Sequence, residues 1–577
     1  MGAGGTSTPE GSSAADGGSG TAGVIADAAE GTIPGGSATA GVLASAAGVA
    51  TAEIVATLTP LVPSPLDTLG QVVVDTLPGV VVTAAIALLG DANRVVLLAL
   101  SIVTALLLGA LLGRIGARSF PGALTLLSAV AILALLASLS RPEAAFPLVL
   151  LTLLLAGVVS GTLLFRLLGY LGAHRGLSSP GAPTPTDPPV DRRAFLRLGV
   201  ATSVVSVAGT AVARRSGPPP GTTPSPTAPA PTAARPLPAV TAAQDLASSI
   251  PEVSPVLTPI EDFFRIDTAV LLPRTDVASW RLRIGGAVER PLTLTYEELT
   301  ARDLVEVDAT IACVSNEVGG SLIGTARWVG VPLRELLEEV RPTAAAEQLL
   351  SRSVDGFTAG FPLEVAAATE DALVAVGMNG RVLPLEHGYP ARLVVPGLFG
   401  YVSATKWLAD IELTAWDGVD GYWVPRGWSK EGPVKTGSRI EVPAAGGEVA
   451  AGTVVVAGVA WAPTRGISRV EVVVADGDTS DAELFDTADS TSTAGSTSTA
   501  GSTSTAAGDL EVVAAQLVTP LSAATWVQWR AEVPLAAGEH RLLVRAVDGD
   551  GVRQARGPAP PAPNGAEGWH TIRIRVV

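Results

Sequence analysis

Apolar residues are unevenly spread along this chain, and their period changes twice. At roughly 38–60, 94–113, 121–139 and 146–170 they run almost without a break. Each run matches the ~20 residues a helix needs to cross a bilayer. The first run is rich in Ala and Gly and carries Glu53. A further apolar stretch, Gln71–Gly90, contains Asp75 and Pro78. It fits a span, and equally an interfacial or re-entrant helix. From about residue 263 the runs shorten. Trp280–Ile284 and Leu292–Thr295 read as strands, Tyr296–Thr300 as a short helix and Asp308–Val314 as a strand. Val331–Glu339 predicts an amphipathic helix with Leu333, Leu336 and Leu337 on one side. Phe361–Ala368 and Ala372–Met378 form further elements, and Arg392–Val395 and Trp407–Leu413 read as strands. Strands mixed with short helices predict an α+β unit on a mixed sheet.

After residue 441 strict alternation takes over, in Gly452–Val459, Ser468–Val474, Trp526–Val533, His540–Ala546 and Trp569–Val577. This predicts an immunoglobulin-like β-sandwich over 441–577. It is interrupted at about 477–508 by a low-complexity insert in which Ser-Thr-Ser-Thr-Ala-Gly repeats from Ser490 and Ser496. Composition sets the other boundaries. Residues 1–35 are Gly, Ser, Thr and Ala with scattered acids and read as disordered. The helical membrane region is 36–175, a Pro-rich linker covers 214–250, and the α+β domain covers 251–440. Nine prolines fall within 216–238, which predicts a semi-extended spacer.

Between the spans and the linker lies Asp191-Arg192-Arg193-Ala194-Phe195-Leu196-Arg197, followed by an apolar run to Val212. Residues 191–213 therefore match a twin-arginine export pattern, R-R-x-F-L. The other reading is a pair of arginines flanking an ordinary fifth helix. Ala211-Val212-Ala213 resembles a small-residue cleavage site. Arg114 and Arg118 follow the second span, and Arg166, Arg175, Arg192, Arg193 and Arg197 lie between the fourth and fifth apolar runs. Placing both groups in the cytoplasm directs everything after residue 213 to the extracytoplasmic side, provided that Gln71–Gly90 does not cross.

A net charge of −16, with three lysines among 577 residues and no basic tract, makes a poor nucleic-acid binder, so no nucleic-acid partner is expected, because phosphate contacts need clustered cations. No disulfide forms within a chain that has one cysteine. The four histidines, His174, His387, His540 and His570, all lie outside the apolar runs, so no haem is predicted within the spans.

Three groups carry candidate chemistry. Cys313 sits in Cys313-Val314-Ser315-Asn316-Glu317, at a strand–loop junction. A lone cysteine is more often a small buried hydrophobe than a ligand. His387 and Arg392 lie five residues apart at the mouth of a strand, a spacing that lets both face one cavity and hold an anion. Ser403 and Lys406, in Ser403-Ala404-Thr405-Lys406-Trp407, form a small hydroxylated stretch ending in a lysine, suited to a phosphate or to a polar heterocycle, or simply a turn before a strand.

In order along the chain, the C-V-S-N-E run, the G-V-P-L after Trp328, M-N-G at Met378–Gly380, H-G-Y-P-A-R-L-V-V-P-G and S-A-T-K-W-L resemble the sulfite oxidase family of molybdenum enzymes. The layout, with membrane helices ahead, looks like its membrane-anchored bacterial members. The resemblance implies a molybdenum–molybdopterin cofactor with Cys313 as metal ligand and a catalytic group. It implies Asn316, His387, Arg392, Ser403, Lys406 and, at Phe263-Phe264-Arg265, Arg265 as cofactor-binding. Tyr422 stands in for the family's active-site tyrosine. It also implies a two-electron oxygen-atom transfer on a small oxo-acceptor or oxo-donor, a separate electron-transfer partner and a homodimer. Sulfite oxidases carry arginines after the Asn, where this chain has Glu317 and Val318; either the substrate is neutral or less anionic, with sulfoxide or other oxo-group reduction as the alternative reaction, or the cations come from elsewhere. A cofactor-free binding or scaffold module on the same fold is the remaining alternative.

Overall fold

The computed structural model describes residues 36–59, 62–77, 81, 93–139, 144–171, 191–215, 228–490 except 270, 271 and 274, 503–505 and 510–577. The disordered start expected for 1–35 and part of the insert lie outside these residues. Six helices make up the N-terminal region: α1 (Ser37–Leu58), α2 (Pro65–Thr76), α3 (Asn93–Arg118), α4 (Phe120–Leu139), α5 (Phe146–Tyr170) and α6 (Arg192–Arg215). Among the described residues, α1, α4, α5 and the Val96–Arg118 part of α3 are long and apolar enough to cross a membrane. Large side chains such as Leu107, Leu133 and Leu151 are exposed on their outer faces.

The small residues of α1 have a packing reason. Ala40 and Ala44 are fully buried against Leu112, Leu164, Leu167 and Leu168. At Gly41 a Cβ would collide with the backbone of α3 at Gly109 and Gly113. The Ser160 hydroxyl donates to the Ala44 carbonyl at 2.9 Å. A central helix needs small residues so that neighbouring backbones can approach. Glu53 is buried too, where its carboxylate accepts from the Ser64 hydroxyl (2.6 Å) and the Leu66 N–H (3.1 Å) at the start of α2. The acid in the first span thus caps α2, whose orphan N–H groups need acceptors. With 12 residues α2 is too short to span. Its end at Thr76 takes the first part of the Gln71–Gly90 stretch, of which 78–80 and 82–90 lie outside the described residues.

The α+β unit is built on two sheets. One has strand order Leu292–Thr295, Arg281–Gly286, Leu408–Thr414, Gln348–Ser353, Thr358–Pro362; it is mixed, because Arg281–Gly286 runs parallel to Leu408–Thr414 and the other pairs are antiparallel. The other orders Val305–Ala312, Ile323–Pro332, Leu373–Met378 and Arg381–Val382, with Arg392–Val394 also paired to Leu373–Met378. The main core forms where Val329, Val331, Val374 and Val376 of the second sheet meet Leu282, Ile284, Leu349 and Ile411 of the first. Alternate residues of the second sheet, Ala309, Ile311, Ala326, Trp328 and Met378, face a separate cluster around Phe263. The helix Leu333–Val340 turns Leu333, Leu336, Leu337 and Val340 inward, as its spacing predicts. The strands Ile323–Pro332 and Gln348–Ser353 are not marked by the apolar pattern. Both carry residues such as Thr325, Gln348 and Ser351 that are buried although polar.

From Gly437, the start of a strand that straddles the expected boundary at 441, the chain forms two sheets packed over one core. Val454, Val456 and Val533 of one meet Val472, Leu542, Val544 and Ile572 of the other. The insert expected as flexible from 477 begins with a helix, Asp481–Ser490, whose Leu484 and Ala488 are buried beside Trp569. The Pro-rich stretch expected as a spacer to residue 250 lies on the domains from residue 228 onward. Ala230 N–H donates to Gly380 O (3.0 Å), Ala234 N–H to Leu304 O (2.8 Å) and Leu246 N–H to the Gln528 side chain (2.7 Å). An extended Pro-rich chain leaves its carbonyls unpaired; that of Pro238 accepts from Arg327 at 2.8 Å.

Candidate active site

Cys313 follows the strand Val305–Ala312 and opens the connection to Ile323–Pro332, whose register pairs Ala312 with Ile323. The connection closes on itself. Cys313 N–H donates to Leu322 O at 2.9 Å, Asn316 N–H to Cys313 O at 3.1 Å, and the Asn316 side-chain oxygen accepts from Leu322 N–H at 2.8 Å. The thiol is 7% exposed and lines a cavity of about 980 Å³, its open mouth included. Burial pushes the thiol pKa up; hydrogen bonds from Ser315 and the charge of Lys406 pull it back.

Arg392 and Lys406 line the same cavity. Arg392 is 3% exposed and donates only to carbonyls, those of His387 (3.1 Å), Ala404 (3.2 Å) and Leu393 (3.3 Å). Its guanidinium stands 5.0 Å from the Trp328 ring centroid. Among the described residues it has no carboxylate partner, and burial lowers its pKa to about 9. Lys406 Nζ donates to Asp267 (3.0 Å) and to Glu386 O (3.0 Å). Burial lowers its pKa to about 8 although Asp267 opposes the shift.

The other expected residues stand around this centre and not in its wall. His387 is buried behind Arg392, with Nε2 3.2 Å from Ile260 O and Nδ1 lacking a hydrogen-bond partner. Burial first, then Lys406 and Arg392, depress its pKa to about 3, so the ring is neutral. A carbonyl on Nε2 assigns the proton there and leaves Nδ1 as a bare acceptor. Arg265 pairs with Asp267 at 3.4 Å. Ser403 turns its hydroxyl into its own turn, toward Phe399 O at 3.0 Å. Asn316 closes the Cys313 connection. Tyr422 accepts from Gln71 of α2 at 3.1 Å, lies 3.6 Å from the Arg426 guanidinium and packs against Phe357 and Trp423, which line the cavity. Glu317 and Val318, expected beside the metal, instead line a separate cleft with Lys435 and Glu567. The wall also holds Asp267 and Asp355, which the motifs did not single out, together with Tyr401, Trp423 and Trp428, of which Trp428 is the alternative to Tyr422 that the sequence offers as a pocket wall. Asp267 had a signal, since an acid two residues from Arg265 is a natural partner for a buried cation.

The donor set fits an anionic heterocyclic cofactor with a soft metal. A buried guanidinium with no carboxylate is costly unless an anion joins it. The bare His387 Nδ1 suits a ring N–H donor, and a thiolate suits a soft or high-valent metal.

Comparison with known proteins agrees. The family profile of the oxidoreductase molybdopterin binding domain matches residues 269–423. The uncharacterized oxidoreductase YuiH of Bacillus subtilis is 32% identical over 157 residues, which cover 27% of this chain and 76% of YuiH. The chain belongs to the sulfite oxidase family of molybdopterin oxidoreductases. Sulfite oxidase of Gallus gallus, another family member, is 28% identical over 344 residues, 51% of this chain and 66% of the chicken protein. The rat mitochondrial enzyme is covered over 59% of its length. Among solved structures, the sulfane dehydrogenase SoxCD of Paracoccus pantotrophus overlaps 55% of this chain and 80% of its own, at 22% identity and a TM-score of 0.42.

Proposed function

We propose that this family member is a membrane-anchored molybdenum-cofactor oxidoreductase that transfers one oxygen atom and two electrons, with its catalytic domain extracytoplasmic. The observation that carries the reading is the convergence of Cys313, Arg392 and Lys406 on one cavity. When bound, the cofactor supplies a metal-centred two-electron exchange coupled to movement of an oxygen atom. Cys313 would give the thiolate. Arg392 and Lys406 would hold the anionic part of the pterin, to which Asp267 yields Lys406. His387 would accept from a ring N–H, and its carbonyl already orients Arg392. Arg265 acts through Asp267, and Asn316 holds the Cys313 connection. Ser403 supports the turn leading to Lys406, and Tyr422 stands behind the cavity rim. In the oxidising direction the oxygen comes from water, with two protons and two electrons released. The electrons would pass to a separate partner. The domain limits 36–175, 191–213, 251–440 and 441–577 and the twin-arginine reading of Arg192-Arg193 belong to the same proposal. So does an immunoglobulin-like dimerisation unit in the C-terminal sheets.

A second reading, reduction of a sulfoxide or another oxo donor, is favoured by the cavity wall. Phe264, Phe357, Tyr401, Trp423 and Trp428 offer apolar surface, and Arg392 and Lys406 are the cations in the lining. This reading does not rely on Glu317, which lines the other cleft.

Metal and pterin analysis of the purified chain, followed by assays in both directions with artificial electron carriers, is the experiment. Cys313→Ser is expected to lose molybdenum and activity; full retention of both would falsify the reading. A native chain with neither metal nor pterin would leave the binding-module alternative.

A further inference from the structure

The connection bearing Cys313 is held from outside its own domain. Its near end is fixed by main-chain and Asn316 hydrogen bonds within the connection. At its far end the Gly320 carbonyl accepts from Nη1 of Arg439, on the strand Gly437–Val442 of the C-terminal sandwich. Arg439 is 8% exposed. Its Nε donates to Glu441 at 3.0 Å, and its Nη2 donates to Glu441 and, at 3.2 Å, to the hydroxyl of Ser254. Ser254 donates from its hydroxyl (2.6 Å) and its N–H (2.8 Å) to the same Glu441. The Arg439 charge is thus neutralised locally, and what remains for the connection is a directed, charge-assisted hydrogen bond. One residue earlier, Gly319 has φ +77° and faces the ring of His570, with which a Cβ would overlap. The His570 Nδ1 accepts from Ile440 N–H at 3.0 Å, next to Arg439. The sandwich strand, the last strand of the chain and the segment carrying Ser254 therefore converge on Gly319-Gly320, six and seven residues beyond the thiol.

We propose that Arg439 is a positioning residue for Cys313: the C-terminal sandwich sets where the thiol stands in the cavity by holding Gly320, with Gly319 seated on His570 as the second point of the clamp. The idea rests on the reading of Cys313 as the metal ligand, and assigns the sandwich a part in the site besides dimerisation. A residue that merely glued two domains together would not govern access to a thiol on a third segment while the fold stayed intact.

Because Cys313 is the only cysteine, its labelling reports the connection directly. The full-length, cofactor-free protein in detergent is treated with a maleimide, and the rate is followed by mass spectrometry. Arg439→Met, and Arg439→Met with Glu441→Gln to avoid a stranded carboxylate, are expected to label about tenfold faster than the native chain, as losing one charge-assisted bond makes local opening more frequent. Arg439→Lys, which keeps one donor toward Gly320, is expected to stay close to native. Equal rates in the native chain and in the double variant, with matching circular dichroism and melting temperature, would overturn the proposal. Should Arg439→Met fail to fold, the same rate is read on Gly319→Ala, where acceleration supports the clamp and an unchanged rate defeats it. In metal-loaded protein, a changed electron paramagnetic resonance spectrum in Arg439→Met is the second expected sign. Retention of molybdenum by Cys313→Ser would defeat the metal-ligand reading alone, since the labelling experiment uses no metal.

Discussion

At the scale of single residues, burial decides the charge state around the cavity, and the consequences run in opposite pH ranges. The pKa of His387 is held near 3, below its ordinary 6.5. Between those values the unfolded chain binds a proton that the folded chain refuses, so stability falls as pH drops through this window. His387→Gln is expected to flatten the melting temperature between pH 6.5 and 4, by calorimetry on the cofactor-free protein. For Lys406, held near 8 against 10.5, the unfolded chain again binds more protons, and stability rises with pH from about 8 to 10.5. A bound anion favours the charged amine and removes that rise. Loading the cofactor is therefore expected to abolish the alkaline gain in melting temperature; a gain of equal size in the loaded protein would exclude Lys406 as an anion ligand.

At the scale of elements, local rules and packing agree where the site is supported. Thr295 and Glu298 form a capping box at the start of Tyr296–Thr300, the type of N-terminus that sequence shows best. The helix Leu333–Val340 buries an i, i+3, i+4 stripe against the strands that hold Val374 and Leu349. Leu336 is fully buried. Leu336→Ala is expected to cost about 2–5 kcal/mol in denaturant unfolding, with the larger values if the site cannot collapse. Where packing overrode the pattern, the cause is visible. Ile323–Pro332 lies buried in the sheet, and its Thr325 shares a 2.5 Å hydrogen bond with Thr310 instead of presenting an apolar face. The helix Asp481–Ser490 gains order from the burial of Leu484 and Ala488, which composition within a Ser- and Thr-rich stretch does not reveal.

At the scale of the whole molecule, the extended segment from residue 228 and the sandwich both reach the strands that frame the cavity. The segment from residue 228 to Thr258 crosses both soluble domains and ends in a two-way pairing of Thr258 N–H with Thr325 O (2.8 Å) and Thr325 N–H with the Thr258 hydroxyl (3.2 Å). The sandwich adds to the edge of the Cys313 strand, where Thr310 N–H donates to Ala524 O at 3.0 Å and Trp526 N–H to the Thr310 hydroxyl at 2.7 Å. In the proposed topology the arginines at the end of α3 and the start of α6 face the cytoplasm, which would put the soluble domains on the extracytoplasmic side. Paired reporters joined after Val577 test this: the one active only outside the cytoplasm is expected to work, and activity solely of the cytoplasmic one would reverse the topology.

Read alone, the sequence determined whatever depends on local period and residue chemistry. It marked four helices long and apolar enough to span, the change from α+β to all-β structure, the amphipathic helix at Leu333 and the candidate set of Cys313, His387, Arg392 and Lys406. These are legible because bilayer thickness, strand alternation and the rarity of a residue type leave marks within a short window. Only the tertiary structure decided which of those residues share a cavity. It put Cys313, Arg392 and Lys406 in one wall, and it brought Asp267 to Lys406 across 139 residues. It turned Ser403 and Tyr422 elsewhere, and sent Glu317 to a different cleft. It also gave Glu53 the role of a helix cap and set Arg439 on the Cys313 connection from a separate domain. Long-range contacts are made by surfaces that meet only once the sheets have formed, and no short stretch of sequence encodes which surfaces will meet.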